Sequence, residues 1–483
     1  MVKKTIIVLM MTCLPIIAFA QGVGGQVRRP VKKQQTSDPR NKQNVQKRQP
    51  AKVSNGIKKE QQHQQLKLKK EPKVKEEENQ IIEKTIYFDG MTFSVKGEDA
   101  SLIKGKDQEF IVISGLIEDQ FGKYKVHTIE KEAFRRLKKI RHVTIADGIV
   151  EIKSDAFTGC SNLQSVYLGN TLEIIGSYAF YNCKIEQIQL PNSLRIIHES
   201  AFNENYISTI QIPANVEQIQ GNPFCSYLYR ESKLANISID NSNKKYYCPL
   251  NGNIIIDRNN KSVVIGCNNS IIPSGIKTIG DHAFAGCTMK SFEIPEGVER
   301  IGKGAFWCCK SLNNLTFPST IKFIEEHAFG HLAITSIVFP DNTKEIGWDS
   351  FGYCKNLRSV FIPATIEQIG DHPFGDCPNL SEIRIHKDNQ YYDSRNNCNA
   401  IIEKKTNRLV NGCKNTIIPF GITKIDGWAF HGHKGLLSIE IPETVKSIGM
   451  YAFTGTGLTT VKVPQGCEIE DNAFDDKIII ITN

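Results

Sequence analysis

Residues 275–309 read GIKTIGDHAFAGCTMKSFEIPEGVERIGKGAFWCC, a stretch that says nearly the same thing twice. Ile276 and Val298 each open a phrase that runs through Ile-Gly to Ala-Phe and then Cys. Self-similarity at a fixed period decides the architecture before any shorter motif is weighed. Along the chain the signature phenylalanine falls at Phe134, Phe157, Phe180, Phe202 and Phe224, at Phe284, Phe306, Phe329, Phe351 and Phe374, and at Phe430, Phe453 and Phe474. The spacing within a group is 21 to 23 residues, and between groups it widens to 60 and 56.

Each phrase of the repeat has a physical task. In Leu-x-x-Ile-x-Ile-Pro the last apolar residues alternate at period two, which predicts a half-buried strand, and proline ends it for want of an N–H. Ile-Gly predicts a second, shorter strand at a corner. The residue before Phe is Ala, Pro (Pro223, Pro373) or Ser (Ser350), as a tight bend requires. One unit cannot bury its own apolar face, so units must stack at about 4.8 Å, Phe on Phe and Ile on Ile, into a solenoid on the order of 60 Å long. The two long intervals match each other: Tyr246-Tyr247 with Tyr391-Tyr392, and residues 266–273 with 412–419. Both predict hairpins, inserted near 240–270 and 386–416, giving a larger period of about 150 residues.

These residues resemble the BspA-like leucine-rich repeat, found in surface proteins of host-associated bacteria and some protozoan parasites. The lead-in from Ile86 to Val126 is similar to the cap that opens such arrays. The resemblance implies a β-rich leucine-rich-repeat solenoid, right-handed, of short strands with short helical turns. It would have about 13 rungs over residues 131–483, the two hairpin insertions, and an N-terminal β cap over 81–130. It also implies an adhesin-like module that recognises a host extracellular protein, glycan or cell surface.

The remaining chain reads differently. Lys3 and Lys4 precede an apolar run from Thr5 to Ile17, and Ala18-Phe19-Ala20 follows, the pattern of a signal peptide over residues 1–20 and hence of export. Cys13 fits a lipobox poorly, with Met11-Thr12 before it. No other stretch approaches the ~20 apolar residues of a membrane span. Residues 21–80 hold 16 Lys and Arg against 6 Asp and Glu, with no aromatic residue, whereas 81–483 come to a net charge of −3. Such a segment buries too little apolar surface to offset ordering entropy, so a basic disordered tether is expected. It serves either as a solvated spacer or as an electrostatic foot on an anionic polymer; no specific nucleic-acid motif accompanies it. Deleting residues 21–80 should leave the melting temperature unchanged. A drop of many degrees would show that the segment packs on the array.

Sites of chemistry are sparse. Cys160, Cys183, Cys287, Cys309, Cys354 and Cys377 all stand three residues after the Phe, but Leu137 and Leu332 fill the same slot, which marks it as apolar core. The slot offers one thiol per rung, too few for a zinc ladder. His282, His327 and His372 stand two residues before the Phe on alternate rungs, about 10 Å apart, beyond sharing one ion. Residues 297–304 mimic a phosphate loop without its terminal Ser or Thr. No catalytic signature appears, so no enzyme, cofactor or metal is expected.

What remains is surface. The residue between two inward strand positions points outward, and the row so formed includes Tyr167, Val338, Phe361 and Arg384. Val338 and Phe361 are adjacent and apolar, forming either a ligand-binding patch or a surface covered by the second hairpin. That hairpin, read as a four-residue loop over 404–407, also sets Cys398 opposite Cys413 within disulfide reach; Cys248 and Cys267 form the weaker counterpart pair. The expected function is therefore an exported binding protein acting through its strand face. A structural envelope spacer with an acid-polymer-binding tether and an enzyme scaffold are the rival readings.

Overall fold

The computed structural model describes residues 83–482 apart from 227 and 229. The expected signal peptide and tether lie outside the described residues. Among those residues no helix is long and apolar enough to cross a membrane.

The chain winds into a β-solenoid of about 17 turns, not 13, because the cap and both insertions add turns that lack the Ala-Phe signature. Most rungs supply a longer strand, such as Ser165–Leu168 or Ser359–Ile362, with alternate residues buried. The second of these stops at Pro363. Each rung also supplies a two-residue strand from the Ile-Gly phrase. Thr278–Ile279, Arg300–Ile301, Phe323–Ile324, Glu345–Ile346 and Gln368–Ile369 pair in parallel, and every second residue is buried.

At the Phe corner the rings stack with centroids 4.6 to 5.9 Å apart within each of the three groups. The backbone stacks with them. Phe306 N donates to Ala328 O at 2.8 Å, Phe329 N to Ser350 O at 2.7 Å, and Phe351 N to Pro373 O at 2.9 Å. The ladder uses only the carbonyl of the residue before Phe, so Ala, Ser and Pro interchange there.

The short helical turns are not found: among the described residues the helical element is a single 3-10 turn at Arg395–Asn397. The corner is instead a run of tight turns. The residue two before Phe takes a positive φ in nearly every rung (Asp155 60°, His282 55°, His327 55°, Asp349 47°, His372 55°, Trp428 64°), and many residues two after Phe do likewise. A left-handed residue every fourth position forbids a right-handed helix from propagating.

The two insertions prove to be repeats of the N-terminal cap. Three antiparallel meanders occur: Glu83–Phe88, Met91–Lys96 and Asp99–Lys104; Tyr246–Tyr247, Ile255–Asp257 and Ser262–Ile265; Tyr392–Asp393, Ile401–Glu403 and Arg408–Asn411. The last strand of each pairs in parallel with the first rung that follows. A glycine comes directly after it: Gly105, Gly266 and Gly412 each donate N–H to the alanine carbonyl before the next Phe, at 2.8, 2.8 and 2.9 Å. A Cβ there would sit 2.0 to 2.2 Å from a ring carbon of Phe134, Phe284 or Phe430, so glycine lets the backbone lie flat on the first ring of each stack. The array is thus three capped modules in tandem.

Where one module meets the next, a pair of buried polar residues makes the join. Tyr246 and Tyr392 hydroxyls accept from Ile219 N and Ile369 N, each at 3.0 Å. Tyr246 therefore corresponds to Tyr392, one residue on from the alignment expected. Asn389, fully buried, donates to Pro363 O and Ile366 O at 2.9 and 3.0 Å and accepts from Tyr391 N and Tyr392 N at 2.9 and 2.8 Å. Asn243 repeats all four bonds one module earlier.

The cysteine slot is core, as its exchange with leucine implied, and it has a further task. Cys160, Cys183, Cys309, Cys354 and Cys377 Sγ each donate to the Phe carbonyl of the preceding rung, at 3.0 to 3.4 Å. Asn205 fills the slot in another rung and donates to Phe180 O at 2.7 Å. Burial pushes the Cys160 thiol up to about 12. The Cys398–Cys413 disulfide is absent, and both are free thiols, as are Cys248 and Cys267. The register holds at Glu403–Arg408 and Ile402–Leu409, then a bulge sets Ile401 opposite Asn411 instead of Val410. That one-residue slip removes the premise of the pairing.

Candidate functional site

The long strands form one face of the solenoid and the two-residue strands another, and the two differ in what they leave unspent. On the short-strand face, charges pair between neighbouring rungs. Glu299 takes Lys277 and Lys322, each at 2.8 Å, and their hydrogen bonds hold its carboxyl down at about 2. Arg300 meets Glu325, and Lys344 meets Glu367 at 2.6 Å. Exposed pairs of this kind add little stability, but they leave few free charges for a partner.

The long-strand face is different. Val338, Phe361 and Arg384 are register partners on three adjacent parallel strands, Ser336–Val338, Ser359–Ile362 and Glu382–Ile385. Parallel strands put them about 4.8 Å apart. Val338 is 67% exposed and the Arg384 side chain 72%, so the second hairpin does not cover them. Phe361 is half-buried, its ring edge-on to His386 at 6.4 Å. Arg384 is paired with Glu382 on its own strand.

Tyr167 belongs elsewhere. It lies on the sheet of Phe110–Ile113, His142–Ile145 and Ser165–Leu168, in register with Thr144 and Val112. Val112 is exposed, and exposed Phe110 stacks on His142 at 4.8 Å, so Tyr167 shares a second apolar patch near the cap. The repeat could not point to Phe110 or Val112, because their strand precedes the first Ala-Phe. Period-two alternation over 110–113 is the signal that would have found them.

The histidine row is dispersed as its spacing demands, yet one member finds other company. Among the described residues a single group has ligating atoms close enough for a metal ion: His372, Asp376 and His431. His431 lies beyond the second insertion and escapes any count made along one group of rungs.

A family model described as the BspA type leucine rich repeat region matches residues 127–248, 277–402 and 400–482, in six copies. No curated protein matches the chain. Among solved structures it is similar to a leucine-rich repeat protein from Bacteroides ovatus ATCC 8483 (20% identity, 82% of this chain and 99% of that one, TM-score 0.42). It is also similar to the pneumococcal vaccine antigen PcpA (16% identity, 83% and 98%, TM-score 0.49). A leucine rich cell surface protein from Faecalibacterium prausnitzii A2-165 aligns at 22% identity over 62% of this chain and 94% of that one, with TM-score 0.42.

Proposed function

Because the chain belongs to the BspA-type leucine-rich repeat family, we propose that it is an exported binding protein, secreted or held at a cell surface, acting through its long-strand face. Its partner is a protein or glycan macromolecule of a host matrix, host cell or envelope. The observation that carries this reading is the line of Val338, Phe361 and Arg384: an aliphatic, an aromatic and a guanidinium in adjacent register on one parallel sheet. Binding hot spots favour aromatic and Arg anchors in such a cluster. The neighbouring charged face satisfies itself and offers less.

A pull-down with the full chain against matrix proteins, host-cell glycans and envelope fractions tests this. Val338→Glu with Arg384→Glu is the informative variant, since both side chains are exposed and Phe361 is left in place. Binding should fall at least tenfold, a loss of about 1.4 kcal/mol or more. Stability should stay within about 0.5 kcal/mol per substitution. Full-strength binding by the variant would remove the face from consideration.

A further inference from the structure

We propose that His372, Asp376 and His431 form a site for a divalent first-row transition metal ion, with zinc as its best fit. The three residues come from two rungs joined directly in space. Asp376 N donates to His431 O at 3.1 Å, so the turn that follows Phe374 rests on the turn that follows Phe430, although 55 residues separate them. One ligating atom from each residue lies within 4.8 Å of the other two, and His431 Nδ1 is 2.9 Å from Asp376 Oδ2. Bonds of about 2.0–2.2 Å place tetrahedral ligand atoms roughly 3.3 Å apart. A modest rotation of the Asp376 and His431 side chains closes the set, with the ion replacing their mutual hydrogen bond.

An independent observation points to a ligand. His372 is 4% exposed, and its Nε2 has no hydrogen-bond partner among the described residues. A buried imidazole nitrogen left unmatched is costly, unless something that accepts its lone pair arrives from outside. Its other nitrogen faces a carboxylate without bonding it: Nδ1 lies 3.4 Å from Asp349 Oδ1, itself unpartnered among the described residues, while Asp349 Oδ2 is tied to His327 Nδ1 at 3.0 Å. Closing that short gap would give the ring the carboxylate partner that orients metal-bound histidines.

The backbone makes room for the ligands. A Cβ on residue 375 would stand 1.7 Å from His372 Nε2, and one on residue 432 would stand 2.1 Å from Asp376 Oδ1. Only Gly375 and Gly432 let both side chains lie where they do. His431 and Asp376 keep 18% and 24% of their side-chain surface, so an ion enters from solvent and retains water as a fourth ligand. Nitrogen and oxygen donors in this mix suit zinc over calcium or magnesium.

The test titrates Zn²⁺ into the purified, reduced full chain by calorimetry, with Co²⁺ absorption as a probe of coordination. Trp428 is 4.7 Å from the His431 ring and 5.6 Å from His372, so its fluorescence reports the same site. One equivalent of Zn²⁺ should bind, a tetrahedral Co²⁺ spectrum should develop, and Zn²⁺ should raise Tm. His431→Gln and Asp376→Asn, which keep hydrogen-bonding shape, should each weaken binding at least tenfold while leaving the metal-free Tm nearly unchanged. No binding at about 100 µM Zn²⁺, or binding by both variants as tight as by the unsubstituted chain, would overturn the site and leave a plain ion pair.

Discussion

Replacing Phe306 with alanine is expected to destabilise the protein by about 3–5 kcal/mol, the range for removing a buried aromatic side chain. The ring is fully buried. It lies between Phe284 at 5.1 Å and Phe329 at 5.3 Å, with Phe292 tilted against it at 5.2 Å. In a solenoid each rung touches only its neighbours, so the cavity weakens two interfaces at once and no distant contact compensates. Denaturant titration of the full chain measures it. A loss under roughly 1 kcal/mol, the size of an ordinary point mutation, would mean that the ring stack does not hold the rungs together.

The second large effect is expected at Asn389. Its side chain makes four hydrogen bonds at the join between modules, two of them reaching across to Pro363 O and Ile366 O, and alanine would leave those carbonyls and the N–H groups of Tyr391 and Tyr392 without it. A cost of about 2–4 kcal/mol follows from the net worth of such bonds and the desolvation of unmatched groups. The cost should appear as a loss of cooperativity, with the module after residue 390 melting ahead of the rest. Asn243→Ala should do the same one module earlier. A single undisturbed transition in both variants would show that these asparagines do not couple the modules.

Much of this was legible from period alone. Phe spacing located the corners that carry the Ala-Phe signature, and alternation in the long strands oriented the outward row, where Val338 and Arg384 stand exposed. What escaped notice shares a cause: it depends on backbone geometry that a one-letter pattern does not encode. The bulge after Ile402 moves Cys398 by one register position, and nothing in the hairpin's composition announces it. The tight bend at the Phe was legible, but its left-handed residues were not, because His, Asp and Tyr fill many positions that glycine holds in other rungs; the helical turns came only with the resemblance. The likeness of cap to insertions rests on Gly105, Gly266 and Gly412 lying against a ring, a contact between segments. His431 joined His372 only once the 56-residue interval was seen to leave the turn ladder unbroken, with Asp376 N on His431 O.

The long-strand face and the basic segment over residues 21–80 make competing claims on any partner, and salt separates them. Polyelectrolyte contacts weaken as ions screen them, with a Debye length of about 8 Å at physiological ionic strength and about 3 Å at 1 M. An apolar and aromatic anchor is far less sensitive. The decisive measurement is therefore the affinity for a captured partner of the full chain, the chain lacking 21–80, and Val338→Glu with Arg384→Glu, each at low and high salt. Binding that survives both the deletion and high salt, and falls at least tenfold in the double variant, is the predicted result. Binding that disappears with residues 21–80, collapses in salt and ignores the double variant would contradict it.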